Sequence, residues 1–300
     1  LVGKYLLENL ARVPTAVSYA AEFRYINPVI EPDTLFIAIS QSGETADTLA
    51  GLREAKLRGA DVAGIVNVVG STIAREAGQG IYLHAGPEIG VASTKAFTSQ
   101  IVVLSLLAIH MGRLRDMPLK QADEMIAAMK GLPDRVEEAL ECDELVQDLA
   151  GQYKDSPNFL YIGRLYEYPL ALEGALKLKE ISYLHAEGIP AAELKHGPIA
   201  LIDKNMPTVV LAAQTGILEK MTSNVEEIRA RGGRILAVVR DGEDSLNGLA
   251  EHIIRIPAVP DPLVPIVGAV PLQLLAYHIA VQRGCDVDHP RNLAKSVTVE

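Results

Sequence analysis

Three hydroxyls and an amide crowd the run Ser40-Gln41-Ser42-Gly43-Glu44-Thr45, and the apolar stretch Leu35-Phe36-Ile37-Ala38-Ile39 leads straight into it. A buried strand that ends in a hydroxyl-rich turn and then a helix is a place to hold a phosphate. N–H groups of the first helical turn lack intrahelical partners and point at whatever sits there, and the helix dipole adds about half a positive charge. Ser40, Ser42 and Thr45 can donate hydroxyl hydrogen bonds and Gln41 an amide one, so the loop needs no Lys or Arg. An ordinary helix N-cap would use the same residue types, and that is the bland alternative.

A second set of groups has acid–base character. The stretch from Tyr168 to Tyr183 is rich in strong helix formers. Glu173, Lys177 and Glu180 fall at i, i+4 and i+7, so they share one helix face. One reading is a solvated stripe of ion pairs, which contributes little. The sharper one makes Glu180 a base acting on a carbon next to a carbonyl, with Lys177 setting its charge balance. The turn Glu193-Leu194-Lys195-His196-Gly197-Pro198 holds an imidazole among charges, and an imidazole titrates near neutrality. His84, His110, His252 and His278 read as surface or satisfied core residues, while His185 stays ambiguous. The seven histidines lack the close pairing of a metal site, and no residue pattern calls for a cofactor.

Two further segments could face a ligand. Gly86-Pro87-Glu88-Ile89-Gly90-Val91-Ala92-Ser93-Thr94-Lys95 opens a long apolar helix; its glycines allow close approach, and Ser93 or Thr94 could cap that helix. The tail from Arg291 to Glu300 ends in alternating valines, which fits a docked extended segment that brings Lys295 to a cleft; a frayed end is the alternative.

These groups are positioned by an internal repeat. Ile39-Ser40-Gln41-Ser42-Gly43 aligns with Ala212-Ala213-Gln214-Thr215-Gly216, an offset of 173 residues (216 less 43). Leu52 to Gly59 aligns with Val225 to Gly232, and Val62 to Val66 with Ile235 to Val239, at the same offset. Each copy reads strand, helix, strand, short helical turn, strand, long helix. That alternation predicts two α/β units with mainly parallel sheets. The boundaries expected are a first unit at 1–118, a helical connector at 119–150 in which Pro133 opens a helix, a second unit at 151–290 and a tail at 291–300 that closes the site. By the offset, Leu1 matches about Gly174, so the first unit is expected to lack its first strand and the following loop, and the natural protein to extend further toward the N-terminus. The phosphate turn belongs to copy one and the acid–base groups to copy two, which points to a site between the units.

Composition narrows the function class. The chain has 300 residues, half of them apolar and 22% charged, enough for two domains with a core. A net charge of −10 argues against nucleic acid or an anionic membrane surface as a partner. Cys142 and Cys285 show neither metal-ligand spacing nor a disulfide framework, which suits the cytoplasm. The apolar stretch from Ile101 to Ile109 is too short to span a bilayer, and Lys4, Glu8 and Asn9 interrupt any signal-peptide pattern.

Taken together, the quoted segments resemble the isomerase part of the glutamine–fructose-6-phosphate transaminase (isomerizing) family, also called glucosamine-6-phosphate synthases, which consists of two sugar-isomerase (SIS) domains. The resemblance spans essentially the whole chain. Ser40 to Thr45 alone marks the broad SIS superfamily; Ile89 to Lys95, Leu176 to Glu180, Glu193 to Pro198 and Lys295 to Glu300 make it specific. It implies that Ser40, Gln41, Ser42 and Thr45 hold the phosphate of fructose 6-phosphate, and that Val91, Ser93 and Ala294 line the sugar. It further implies that Glu180 carries a proton between C1 and C2 with Lys177 nearby. His196 would assist ring opening from the neighbouring subunit of a homodimer, and Lys295 would meet the sugar carbonyl, as an imine in one version of the chemistry. The reaction implied is fructose 6-phosphate plus glutamine giving glucosamine 6-phosphate and glutamate. The family's glutamine-hydrolysing domain and its cysteine nucleophile have no match here, so the ammonia would come from a missing domain. The family's first Gly-Thr-Ser loop would fall before Leu1. Related SIS proteins that deglycate fructosamine 6-phosphates or deaminate glucosamine 6-phosphate, and sugar-phosphate sensors without catalysis, remain open alternatives.

Overall fold

The computed structural model describes residues 1–297; Thr298, Val299 and Glu300, the end of the expected docked tail, lie outside the described residues. In the first unit, α1 (Val2–Leu10) and the short α2 (Ala20–Phe23) precede β1 (Leu35–Ser40), α3 (Ala46–Leu57), β2 (Asp61–Val66), α4 (Thr72–Ala77), β3 (Gly80–Tyr82) and the long α5 (Lys95–Arg113). Three helices follow: α6 (Leu119–Lys130), α7 (Leu132–Leu140), with Pro133 in its first turn, and α8 (Asp143–Tyr153). The second unit contains β4 (Asn158–Gly163), α9 (Glu167–Ser182), β5 (His185–Pro190), β6 (Thr208–Ala212), α10 (Leu218–Arg229), β7 (Ile235–Arg240), β8 (His252–Ile256), α11 (Val264–Val267) and α12 (Ala269–Gln282).

The sheets run β1-β2-β3 and β5-β4-β6-β7-β8, and every strand pairing among the described residues is parallel. Strand pairing follows the repeat with a one-residue shift in register: Ile39 pairs with Ile65 in one sheet, while its counterpart Ala212 pairs with Val239 rather than Val238 in the other. The strands are apolar runs because helices cover the sheet faces; β6 is buried along its whole length.

Two details depart from the repeat. The short helical turn expected between the last two strands forms as α4 in the first unit, but residues 241–251 of the second form only turns. There Gly242 and Gly248 adopt left-handed backbone, and Arg255 holds the Glu243 carbonyl at 2.9 Å and the Asp244 carboxylate at 2.8 Å, interactions that compete with a helix. Ala21-Glu22 matches Ala192-Glu193, which makes the residues before Ala20 the counterpart of β5, yet they form no strand. β5 bonds only to β4, and no counterpart of β4 lies among the described residues, so this segment has no ladder to join.

One continuous core joins the units. Leu6, Ile65 and Leu104 of the first pack in the same cluster as Leu170, Leu178 and Leu272 of the second. The three middle helices belong to this body, since α8 lies along α12 and continues to Tyr153, past the boundary expected at 150. Lys95–Arg113 and Asp261–Gln282 are long and apolar enough to cross a membrane by length and composition; the second is 78% buried within the fold, which accounts for its apolarity.

Candidate active site

The hydroxyl turn sits at the carboxyl end of β1, where parallel sheets place ligand loops. Ser40, the last strand residue, is buried; its hydroxyl accepts the Gly43 N–H at 3.0 Å and lies 2.9 Å from Thr45 Oγ1. Ser42 Oγ accepts the Glu44 N–H at 3.1 Å. Gln41 is half-buried, and its carbonyl accepts the Asn67 N–H at 3.1 Å. Thr45 is the N-cap residue of α3 but makes no side-chain cap bond, so the hydroxyls tie the turn together rather than cap the helix.

Gly43 holds the turn's shape. Its φ is +67°, and a Cβ there would lie 2.0 Å from Ser71 Oγ. Gly43→Ala is therefore expected to cost about 1–3 kcal/mol of stability and to weaken phosphate binding. Thermal melts and titration calorimetry with fructose 6-phosphate check both; unchanged affinity would remove the turn from the site.

The tail lies on this turn. Ser296 Oγ is 3.0 Å from Ser42 Oγ, and the Val297 carbonyl accepts the Ala46 N–H at 3.1 Å. At its other end the Arg291 N–H donates to the Tyr183 hydroxyl at 2.9 Å, with the guanidinium 4.2 Å from that ring. Residues 291–297 thus run from the end of α9 to the start of α3, and Ala294 between them is exposed. The Lys295 ammonium donates to Glu88 Oε2 at 2.6 Å and to the Gly90 carbonyl at 2.7 Å.

The loop into α5 is built differently from expectation. Neither Ser93 nor Thr94 caps that helix: Thr94 occupies the N-cap position without a side-chain bond. Instead Glu88 Oε1 accepts the N–H groups of Thr94 at 2.9 Å and Ala96 at 3.2 Å, plus the Ser93 hydroxyl at 3.4 Å. A carboxylate reaches amides that a short hydroxyl in this loop conformation does not, and its charge suits the helix N-terminus. The Val91 N–H donates to the Asp288 carbonyl at 3.1 Å, which pins the loop to the start of the tail.

On α9, the face carrying Glu173, Lys177 and Glu180 is not a solvated stripe. The Lys177 side chain is 5% exposed, and its ammonium lies 2.6 Å from Glu180 Oε2 and 3.5 Å from Glu173 Oε1. Burial pushes the Glu173 carboxyl above its ordinary range; Lys177 opposes the shift, while Glu180 and Glu88 add to it. That Glu88 acts on Glu173 places the tail-lysine site within electrostatic reach of the α9 cluster. His196 is the exception: it ends the 3-10 turn Ala191–His196, is exposed, and makes no hydrogen bond or ion pair among the described residues. Its neighbour Lys195 pairs with Glu227 at 2.7 Å. Among the described residues no group of three or more His, Cys, Asp or Glu is arranged to hold a metal.

Copy two's equivalent turn is already filled. Glu167, buried at the start of α9, accepts the Ala213 N–H at 2.6 Å and the Gln214 amide at 3.1 Å, and Asp261 accepts the Thr215 N–H at 3.2 Å. Burial raises the Glu167 carboxyl to about 7 against these hydrogen bonds. The chain's own acids take up this turn's amides, where in the first copy hydroxyls take up the Gly43 and Glu44 amides.

The SIS domain family model matches residues 1–110 and 152–283, one match on each repeat. The chain belongs to the SIS domain family. The two SIS units are also similar to longer proteins. "Glutamine--fructose-6-phosphate aminotransferase [isomerizing]" of Chlorobaculum tepidum is 54% identical over all of this chain and 49% of its own length. The protein of the same name from Thermus thermophilus is 55% identical over all of this chain and 50% of its own. The chain thus spans about half the length of the curated relatives it matches. Among solved structures, the C-terminal domain of glucosamine-fructose-6-phosphate aminotransferase from Francisella tularensis superposes with a TM-score of 0.92 at 40% identity, over 96% of this chain and 82% of that one. A glucosamine-6-phosphate deaminase from Thermotoga maritima has a TM-score of 0.82 at 24% identity over 99% of this chain and 86% of that one, which shows a shared fold.

Sequence reasoning singled out the SIS turn, the α9 trio and Lys295, and left Glu88, Tyr183 and Ser296 without roles. Glu88 carried a faint signal, an acid a few residues ahead of a helix start.

Proposed function

We propose that the chain binds fructose 6-phosphate and carries out the isomerising amination that yields glucosamine 6-phosphate, as a cytoplasmic homodimer. One observation carries this reading. The tail runs from Tyr183, at the end of the helix that carries Glu173, Lys177 and Glu180, to Ser42 in the hydroxyl turn of the first SIS unit, with Lys295 held on Glu88 between them. The names and identities of the relatives support the substrate.

The phosphate would sit among Ser40, Gln41, Ser42 and Thr45 at the N-terminus of α3, with Val91, Ser93 and Ala294 along the sugar. His196, without a hydrogen bond or ion pair among the described residues, would reach a partner's site and open the ring. Ammonia, derived from glutamine in the whole enzyme, adds at C2 with loss of water. Glu180 then removes a proton from C1 to give an enolamine and returns it to C2, while the C1 hydroxyl becomes the aldehyde. Fructose 6-phosphate plus ammonia thus gives glucosamine 6-phosphate plus water. Lys177 holds the Glu180 carboxylate in place from 2.6 Å, and Lys295 donates to the sugar oxygens near the carbonyl.

Incubation with fructose 6-phosphate in heavy water, with and without ammonium, tests this by NMR. Glucosamine 6-phosphate with ammonium, or glucose 6-phosphate with deuterium at C2 without it, is the expected result. Saturable binding with no exchange at C1 or C2 would make the chain a sensor. Ammonia release from glucosamine 6-phosphate without the forward reaction would make it a deaminase.

A further inference from the structure

Glu88 is a carboxylate that the proposed chemistry does not use. Its side chain is only 4% exposed. One oxygen collects the Thr94 and Ala96 amides and the Ser93 hydroxyl, and the other holds Lys295, 207 residues away in sequence. Burial alone would raise its carboxyl; the Lys295 ammonium and the two helix amides outweigh that and hold it below the ordinary carboxylate range. A helix cap needs one oxygen. The second oxygen, and the adjacent Gly90 carbonyl, converge on a single ammonium.

We propose that Glu88 is the positioning residue of Lys295: anchored by the N-terminus of α5, it fixes the ammonium and the tail at the cleft so that the lysine meets the sugar from one place. An ammonium has three donors. Glu88 and Gly90 take two of them, and the side chain of Lys295 is 27% exposed, so the third is left for a ligand oxygen. The residue couples the loop that lines the sugar, through Ser93, to the tail that covers the phosphate turn, through Lys295 and Ser296. This inference rests on the reading of Lys295 as a sugar-facing group.

Glu88→Gln separates the two tasks. Its amide oxygen can still accept from Thr94 and Ala96, while its NH2 group faces Lys295 donor to donor. Amine acetylation of the intact chain, read by mass spectrometry, is expected to modify Lys295 about tenfold faster in Glu88→Gln, with other lysines unchanged. Turnover of fructose 6-phosphate is expected to fall by about 10- to 100-fold in kcat with little change in KM. Glu88→Asp, which keeps the charge, should recover part of the loss. In the double variant, Glu88→Gln should slow Lys295→Gln no further, since a residue acting only through the lysine has nothing left to lose. An unchanged acetylation rate at Lys295 overturns the latch whatever the activity. Faster acetylation with unchanged kcat, or an added loss on top of Lys295→Gln, overturns its role in positioning. If the wild-type chain neither binds nor turns over fructose 6-phosphate, the functional reading fails, while the acetylation result still decides the latch.

Discussion

Glu180→Gln is expected to lower the rate of C1 proton exchange and of isomerisation by about 10²- to 10⁴-fold while leaving fructose 6-phosphate affinity within a few-fold, the range a lost general base produces. The substitution keeps the side chain's size and leaves an oxygen that can accept from Lys177, now 2.6 Å from Glu180 Oε2. What it removes is the ability to take a proton. Affinity should survive because the turn proposed to hold the phosphate, with Ser40, Ser42 and Thr45, lies on the other unit. Stability should also survive, because Lys177 retains Glu173 as a second counter-charge at 3.5 Å. Deuterium exchange into the sugar, followed by NMR together with kcat and KM, separates these effects. An exchange rate within tenfold of wild type would place the proton carrier elsewhere, and a collapse of KM alone would make Glu180 a binding group.

How much of this was legible depended on how local the cause was. β1, the hydroxyl turn and α3 could be read directly, because an apolar run followed by Ser, Gly and Thr states its own strand, turn and helix start. The repeat did the same for sheet order, since matched segments must occupy matched strands. The trio on α9 was legible as a face, because Glu173, Lys177 and Glu180 obey helical spacing; its burial was not, because the covering residues come from elsewhere in the fold. Glu88 was out of reach for the same reason. Ser93 and Thr94 looked like the caps of α5 on local grounds, and the acid that does the capping is fixed by a lysine at the far end of the chain. The residues before Ala20 take the place of β5 in the repeat yet form no strand, because a strand exists only where another can pair with it. Copy two's turn shows the complementary lesson. Gln214-Thr215-Gly216 resembles the hydroxyl turn, and only the placement of Glu167 and Asp261 shows that its donors are already taken.

The largest effect on stability is expected from Lys177→Met. Lys177 is a buried cation between two carboxylates, and its removal leaves Glu173, 13% exposed, beside Glu180 with no counter-ion of its own. Breaking a buried pair from one side costs about 3–5 kcal/mol, which for a chain of this size lowers Tm by on the order of 10 °C. The pH dependence distinguishes this cause from lost packing. The folded state already raises the Glu173 carboxyl above its ordinary range, chiefly by burial, and Lys177 is the group that opposes the shift. Without the lysine, Glu180 and Glu88 push it further in the same direction. A carboxyl raised on folding contributes stability below its unfolded pKa and loses that contribution as pH rises through its folded pKa. The Lys177→Met deficit should therefore be smaller at pH 5, toward the side that favours a protonated Glu173, than at pH 8, toward the side that favours two facing carboxylates. Thermal melts of both proteins at the two pH values measure this. An equal deficit at pH 5 and pH 8 would mean that the cost is shape rather than charge, and that Lys177 does not set the ionisation of the α9 cluster.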